Sequence, residues 1–325
     1  MSQATSFWAM DMTMPMVPSG SFARFFQTLD AMKAAGFKFV SLTVASDYTS
    51  TKEAFKNIRL VRFLLLGRLG KVRSVRTVDE IRQAMQDGKL AVSLHFQGTV
   101  PIGQDLSLVK AFYEKGIRHM LMAYNARNFV GYGCHEAEDK GLTAFGRDLI
   151  QEMNRVGMLV DVAHTGHRTA METIETSSKP VVVSHGNIWA LHQHPRCVKD
   201  ELIKAIAAKN GVIGVTGLGL FMGNNDASVE NYVNNIDYIV QLVGAEHAGI
   251  GLDYVYDLDA LLRFAQNHPE QYPKEGGYFD IEIKQISHAQ MPQVAEGLLK
   301  RGYSEQAVQK ILGQNWLRVL EQVWQ

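Results

Sequence analysis

Eight short runs rich in Val, Ile, Leu, Met and Phe recur along the chain, at residues 7–12, 37–44, 90–96, 119–124, 158–164, 180–185, 211–217 and 247–253. Each run is almost wholly apolar rather than alternating, the pattern of a parallel strand covered on both faces. Stretches with i, i+3, i+4 apolar spacing lie between them and predict helices over 106–115, 144–156, 169–177, 200–210 and 228–243. Gly116, Gly157 and Gly244 stand where helix C-terminal glycines belong. Eight βα units predict an α/β fold, a closed (β/α)8 TIM barrel. The competing doubly wound sheet needs a glycine-rich turn after its first strand, and Asp11-Met12-Thr13-Met14-Pro15 offers none.

The 325 residues fit one such barrel, and no Pro, Gly or Ser-rich linker divides them, so residues 1–325 are read as a single domain. Two connections are too long for simple loops: residues 45–89, with helical patterns over 51–66 and 78–86, and residues 254–287, which should overhang the barrel mouth. The tail over 289–324 predicts additional C-terminal helices in three amphipathic pieces on the barrel exterior.

Charge narrows the partners. Lys plus Arg and Asp plus Glu each number 33, a net charge of zero, which supplies no field for a nucleic acid or an anionic membrane. No uninterrupted apolar stretch is long enough for a membrane span, and the first twenty residues carry no Lys or Arg to begin a secretion signal. Two cysteines, Cys134 and Cys197, form neither a disulfide framework nor a thiolate metal site. The chain reads as cytoplasmic. The methionines, including Met10, Met12 and Met14, read as core filler and Cys197 as a bystander thiol.

In a βα barrel the working side chains stand at the C-terminal ends of the strands. Strand five ends in LVDVAH at His164, strand six in VVVSH at His185 and strand eight in GIGLD at Asp253. Two neutral imidazoles on adjacent strands can bind one divalent ion, and a carboxylate facing it can take a proton from water. His167, His192 and His194 fall beyond the strands, and His268 and His288 read as solvated.

The blocks GLTAFGRDLIQEMNRVGMLVDVAHTG at 141–166, KPVVVSHGN at 179–187, HPRCVKDELI at 194–203, VGAEHAGIGLD at 243–253 and RGYSEQAVQKILGQNWLRV at 301–319 resemble the membrane (renal) dipeptidase family of the metal-dependent amidohydrolase superfamily. The resemblance implies a two-zinc barrel that hydrolyses dipeptides. It implies that His164 and His185 are metal ligands, that Asp253 is the catalytic aspartate and that Arg196 grips the substrate carboxylate, which a guanidinium does with two parallel hydrogen bonds. It also implies a homodimer.

Half of the family site is altered. His-x-Asp after strand one is here Asp11-Met12-Thr13, the bridging glutamate after strand three is Gln97, and the histidine after strand four is Tyr124, followed by Asn125. A neutral amide bridges poorly, because two dications about 3.5 to 4 Å apart need anionic ligands between them. The expectation is therefore one zinc ion rather than two, on His164 and His185, with Asp11, Gln97 or Asp253 adding oxygen. Metal-activated water would cleave a dipeptide or similar small amide bearing a free carboxylate. Asp253 would move the proton, Tyr124 would serve the developing oxyanion, and Arg196 and Asn125 would hold the substrate. The alternative is a barrel that has lost its bimetal site and only binds a small ligand.

Overall fold

A computed structural model describes residues 7–325. Eight parallel strands form the barrel: β1 (Ala9–Pro15), β2 (Phe37–Ser46), β3 (Leu90–Gln97), β4 (Ile117–Leu121), β5 (Leu159–Asp161), β6 (Val181–Ile188), β7 (Ile213–Val215) and β8 (Ala248–Ile250). They neighbour one another in chain order, and all eight fall on the runs expected from the sequence. Short strands Val72–Ser74 and Cys197–Val198 add to β3 and β6.

The last seam, between β8 and β1, is closed largely through a side chain. Asp11 Oδ1 accepts from the backbone N–H of Leu252 at 3.0 Å and of Thr13 at 3.1 Å, while Asp253 N donates to the Thr13 carbonyl at 3.1 Å. Gly251 faces the Ser184 carbonyl so closely that an added Cβ would lie 1.8 Å from it. Glycine here lets β8 approach the residue before His185.

Of the helices expected from periodicity, Thr51–Leu66, Val78–Gln86 and Ala144–Val156 have the predicted bounds. Thr51–Leu66 starts on a capping box between Ser50 and Glu53, and Ala144–Val156 ends on Gly157 in the left-handed region, φ 83°. Phe22–Ala34, which joins β1 to β2, and Leu258–Gln266 were not anticipated.

The tail folds into Met291–Lys300, Glu305–Gln309 and Asn315–Val323. Its role is larger than exterior packing. Trp316, fully buried, clusters with Met10, Phe39, Ala91, Leu159, Val182 and Val212 and donates to the Ile250 carbonyl at 3.0 Å. The tail thus plugs the end of the barrel opposite the mouth. Met10, Met12 and Met14 are completely buried, as core filler should be. Among the described residues no helix is long and apolar enough to cross a membrane.

Candidate active site

His164 and Asp253 stand just past the ends of β5 and β8 with positive φ, 62° and 54°. Outside glycine and asparagine such backbone is uncommon and costs energy, and it persists where the surrounding structure imposes it. Asp161 imposes it near His164. Its Oδ1 accepts from Ala163 N and Ser184 N, both at 3.0 Å, so one oxygen holds the residue before each of the two histidines.

His164 Nε2 and His185 Nε2 face each other at 2.9 Å. Asn125 Nδ2 donates to the Gln271 carbonyl at 2.7 Å, which turns Asn125 Oδ1 toward His164 Nδ1, 2.6 Å away. An amide oxygen only accepts, so Nδ1 carries the proton and Nε2 presents a lone pair. His185 Nδ1 is held by the hydroxyls of Ser184 at 2.7 Å and Thr13 at 3.1 Å. Burial lowers both histidines well below the usual imidazole range, with Arg196 adding to the effect, so both are neutral at pH 7. Two neutral nitrogens this close need a proton or a cation between them.

Asp253 lines the cavity beside this pair. Burial raises its carboxyl to about 7; Arg196 opposes the rise, Asp11 adds to it, and a hydrogen bond from Gln97 again opposes it. A carboxyl poised there can both take and return a proton near neutral pH. Arg196 is buried, its plane over Phe221 at 5.3 Å, and its Nε and Nη2 have no partner. Unpartnered guanidinium donors in a buried site can receive a carboxylate.

Three residues expected to bind metal or substrate are committed to other groups. Both Asp11 oxygens are occupied, Oδ1 by the seam and Oδ2 by His288 Nε2 at 3.1 Å, because the side chain points along the β8 junction rather than into the mouth. Gln97, expected to add an oxygen to the metal, donates to Thr43 Oγ1 at 3.0 Å and favours the ionised form of Asp253. Asn125 uses its amide to set the His164 tautomer and to tie Gln271 and Tyr278, which leaves no polar atom for substrate. Tyr124 stacks on His164, centroids 4.1 Å apart, and its hydroxyl meets that of Tyr272 at 3.0 Å. His288 is buried rather than solvated, because Asp11 and the edge of Phe37 enclose it.

Other residues at the site escaped the sequence reading. Tyr272 and Tyr278 come from the long segment after β8, which does overhang the mouth, and Tyr278 Oη pairs with His135 Nε2 at 2.7 Å. His194 accepts from Arg196 N at 3.1 Å through Nδ1, so its Nε2–H donates to the Gly276 carbonyl at 3.2 Å, tying Arg196 to that segment. Cys134 and Cys197 are pushed up by burial to about 11 and about 12 and stay thiols.

The membrane dipeptidase family model, Peptidase family M19, matches residues 30–273. The chain belongs to this family. It is 28% identical over 284 residues to the dipeptidase tcpJ of Claviceps purpurea, covering 86% of this chain but only 62% of that protein's length. It is 30% identical to an amidohydrolase from Pseudomonas aeruginosa with a TM-score of 0.86, over 98% of this chain and 97% of that one. A metallopeptidase from Rhodobacter sphaeroides, solved with a phosphinate mimic of L-Ala-D-Ala, shares the fold at 18% identity and a TM-score of 0.80, over 98% of this chain and all of that one.

Membership in a metallopeptidase family implies a metal ion, and the donors present can be tested against that. Among the described residues no three His, Cys, Asp or Glu side chains converge closely enough to hold one. The structure therefore brings no three-ligand set together, for one ion or for two, among the described residues. It does fit the nitrogen half of a single site, because two neutral Nε2 atoms face one another with their Nδ1 atoms already engaged.

Proposed function

We propose that the chain is a cytoplasmic hydrolase of a dipeptide or a similar small amide carrying a free carboxylate. The observation that carries this reading is the buried, unpartnered Arg196 guanidinium beside the paired His164 and His185 and the raised carboxyl of Asp253. A single zinc ion would be held by His164 Nε2 and His185 Nε2, where it would polarise the scissile carbonyl and favour ionisation of water.

The chain's own residues do the rest. Arg196 fixes the substrate carboxylate and, through its hydrogen bond to His194, stays aligned with the segment that covers the mouth. Asp253 takes a proton from the attacking water and returns it to the leaving amine. Tyr124 remains a hydroxyl, since burial raises it well above the usual phenol range, and together with Tyr272 it keeps bulk water from His164.

Elemental analysis of protein purified without chelator and after zinc loading, followed by a dipeptide panel, tests the reading. About one equivalent of zinc, lost in His164→Ala/His185→Ala together with turnover, is expected. No turnover of any amide by zinc-loaded protein, or turnover unchanged in the double variant, would sink it and leave a ligand-binding barrel.

A further inference from the structure

The cavity has two unlike ends. His164 lines it and also lines the neighbouring groove that holds Arg196, which places a cation on one side of the histidine pair. On the other side Met16, Val17, Pro18, Thr43 and Tyr48 form a wall shared with a second, apolar groove. That groove runs along Val44, Ala45 and Val61 and opens beside Leu60 and Phe22, which are 40% and 46% exposed. A carboxylate receptor, the reacting groups and an apolar channel thus lie in sequence across the mouth.

The carboxylate inventory decides what the apolar end can take. A dipeptide held by its carboxylate at Arg196 carries an α-ammonium toward that end, and a buried ammonium needs a partner. Asp253 is the one carboxylate on the cavity wall among the described residues, and the apolar groove has none. Nearby Asp47 is spent: Oδ1 accepts from Val100 N at 3.0 Å, and Oδ2 accepts from Tyr124 N at 2.8 Å and Asn128 Nδ2 at 2.9 Å. Both oxygens of Asp11 are occupied as described above. An uncharged, apolar group in place of the ammonium removes the mismatch.

We propose that the substrate is an N-acyl amino acid with an apolar acyl chain, its carboxylate at Arg196, its amide beside His164 and Asp253, and its chain passing Tyr48 toward Leu60. The inference rests on the hydrolase reading above and narrows its substrate class. Water adds to the acyl carbonyl and gives up a proton to Asp253. The C–N bond breaks, and the proton passes to the leaving nitrogen, releasing a fatty carboxylate and a free amino acid.

The test uses the full zinc-loaded chain with N-acylglycines and N-acylalanines of two to twelve carbons in the acyl chain, beside free dipeptides, measuring released amino acid. kcat/KM should rise about threefold per methylene until the groove is full. Free dipeptides should be at least about 100-fold poorer than the best acyl compound, as an unpaired buried ammonium requires. Calorimetry on chelator-treated protein should show N-decanoylglycine binding at least about tenfold tighter than N-acetylglycine, by the same apolar burial. Ala45→Phe, which fills the groove, should flatten the chain-length dependence, and Leu60→Glu, at its surface end, should lower the ten-carbon to two-carbon rate ratio. Turnover of dipeptides but not of acyl compounds, or rates and affinities flat with chain length, overturns this proposal and leaves the hydrolase reading standing. Chain-length-dependent binding with no turnover of any amide overturns the hydrolase reading on which it rests.

Discussion

Arg196 is the residue whose surroundings say most about substrate, because a guanidinium is buried at a cost that only a partner offsets, and Nε and Nη2 have none. Arg196→Lys keeps the charge but not the planar fork, so KM for a carboxylate-bearing amide should rise about 10- to 100-fold with kcat within about threefold, measured by steady-state kinetics. In the proposed hydrolysis Asp253 would act as base only when ionised, and burial lifts its carboxyl to about 7. kcat/KM should therefore fall as pH drops below about 7, and Asp253→Asn should remove that limb of the profile together with turnover. Asp11 makes a different prediction from the one its position in the family motif suggests. Asp11→Ala removes three hydrogen bonds at the barrel seam and should cost about 3 kcal/mol by urea unfolding, at about 1 kcal/mol each, with the zinc content of the folded protein unchanged. Loss of zinc with little change in stability would instead make Asp11 a ligand.

At the scale of elements, the strands position the chemistry and the segments beyond them cover it. His164 stands just past the end of β5 and His185 lies within β6, and a single Asp161 oxygen ties together the residues that precede them. The segment after β8 supplies Tyr272 and Tyr278 above them, linked back to the barrel through Asn125, His135 and His194. The C-terminal helix Asn315–Val323 acts at the other end, where Trp316 fills the bottom of the barrel. Trp316→Ala should destabilise the fold by about 3 to 5 kcal/mol in a denaturation series, while kcat/KM per folded molecule stays close to that of the parent, because the cavity it leaves lies away from the mouth.

For the molecule as a whole, the buried histidines set the acid limit of stability. His119 and His135 are lowered by burial to about 3 and His194 to about 4, and His95, His164 and His185 are lowered as well. Each stays neutral when folded and takes a proton near pH 6.5 when unfolded, so each withdraws stability as pH falls from about 6.5 toward its folded value, by up to about 1.4 kcal/mol per pH unit. Asp161 and Asp253, raised to about 6 and about 7, and Asp47, also raised by burial, act in the opposite sense, since the folded state keeps protons that the unfolded chain has released. Six groups outweigh three. Thermal melts in the presence of chelator should show Tm falling steadily from pH 7 to pH 5; a Tm that rises over that range would refute the assignment of these histidines as neutral.

The barrel itself was legible in the chain, because a strand covered on both faces must be apolar throughout and a helix on its outside must repeat every 3.6 residues. Eight runs in order therefore specified eight strands, and the residue closing each run marked His164, His185 and Asp253. Spacing carries no record of where a side chain's hydrogen bonds go. That Asp11 closes a seam, that Asn125 sets a tautomer, that His288 is buried against Asp11, and that Tyr272 and Tyr278 reach the mouth from a distant segment all depend on contacts between residues 39 to 277 positions apart. Local periodicity and composition determined the architecture and the strand-end residues; long-range packing decided which polar atoms remained free for chemistry, because a buried donor or acceptor must find its partner wherever the fold brings one.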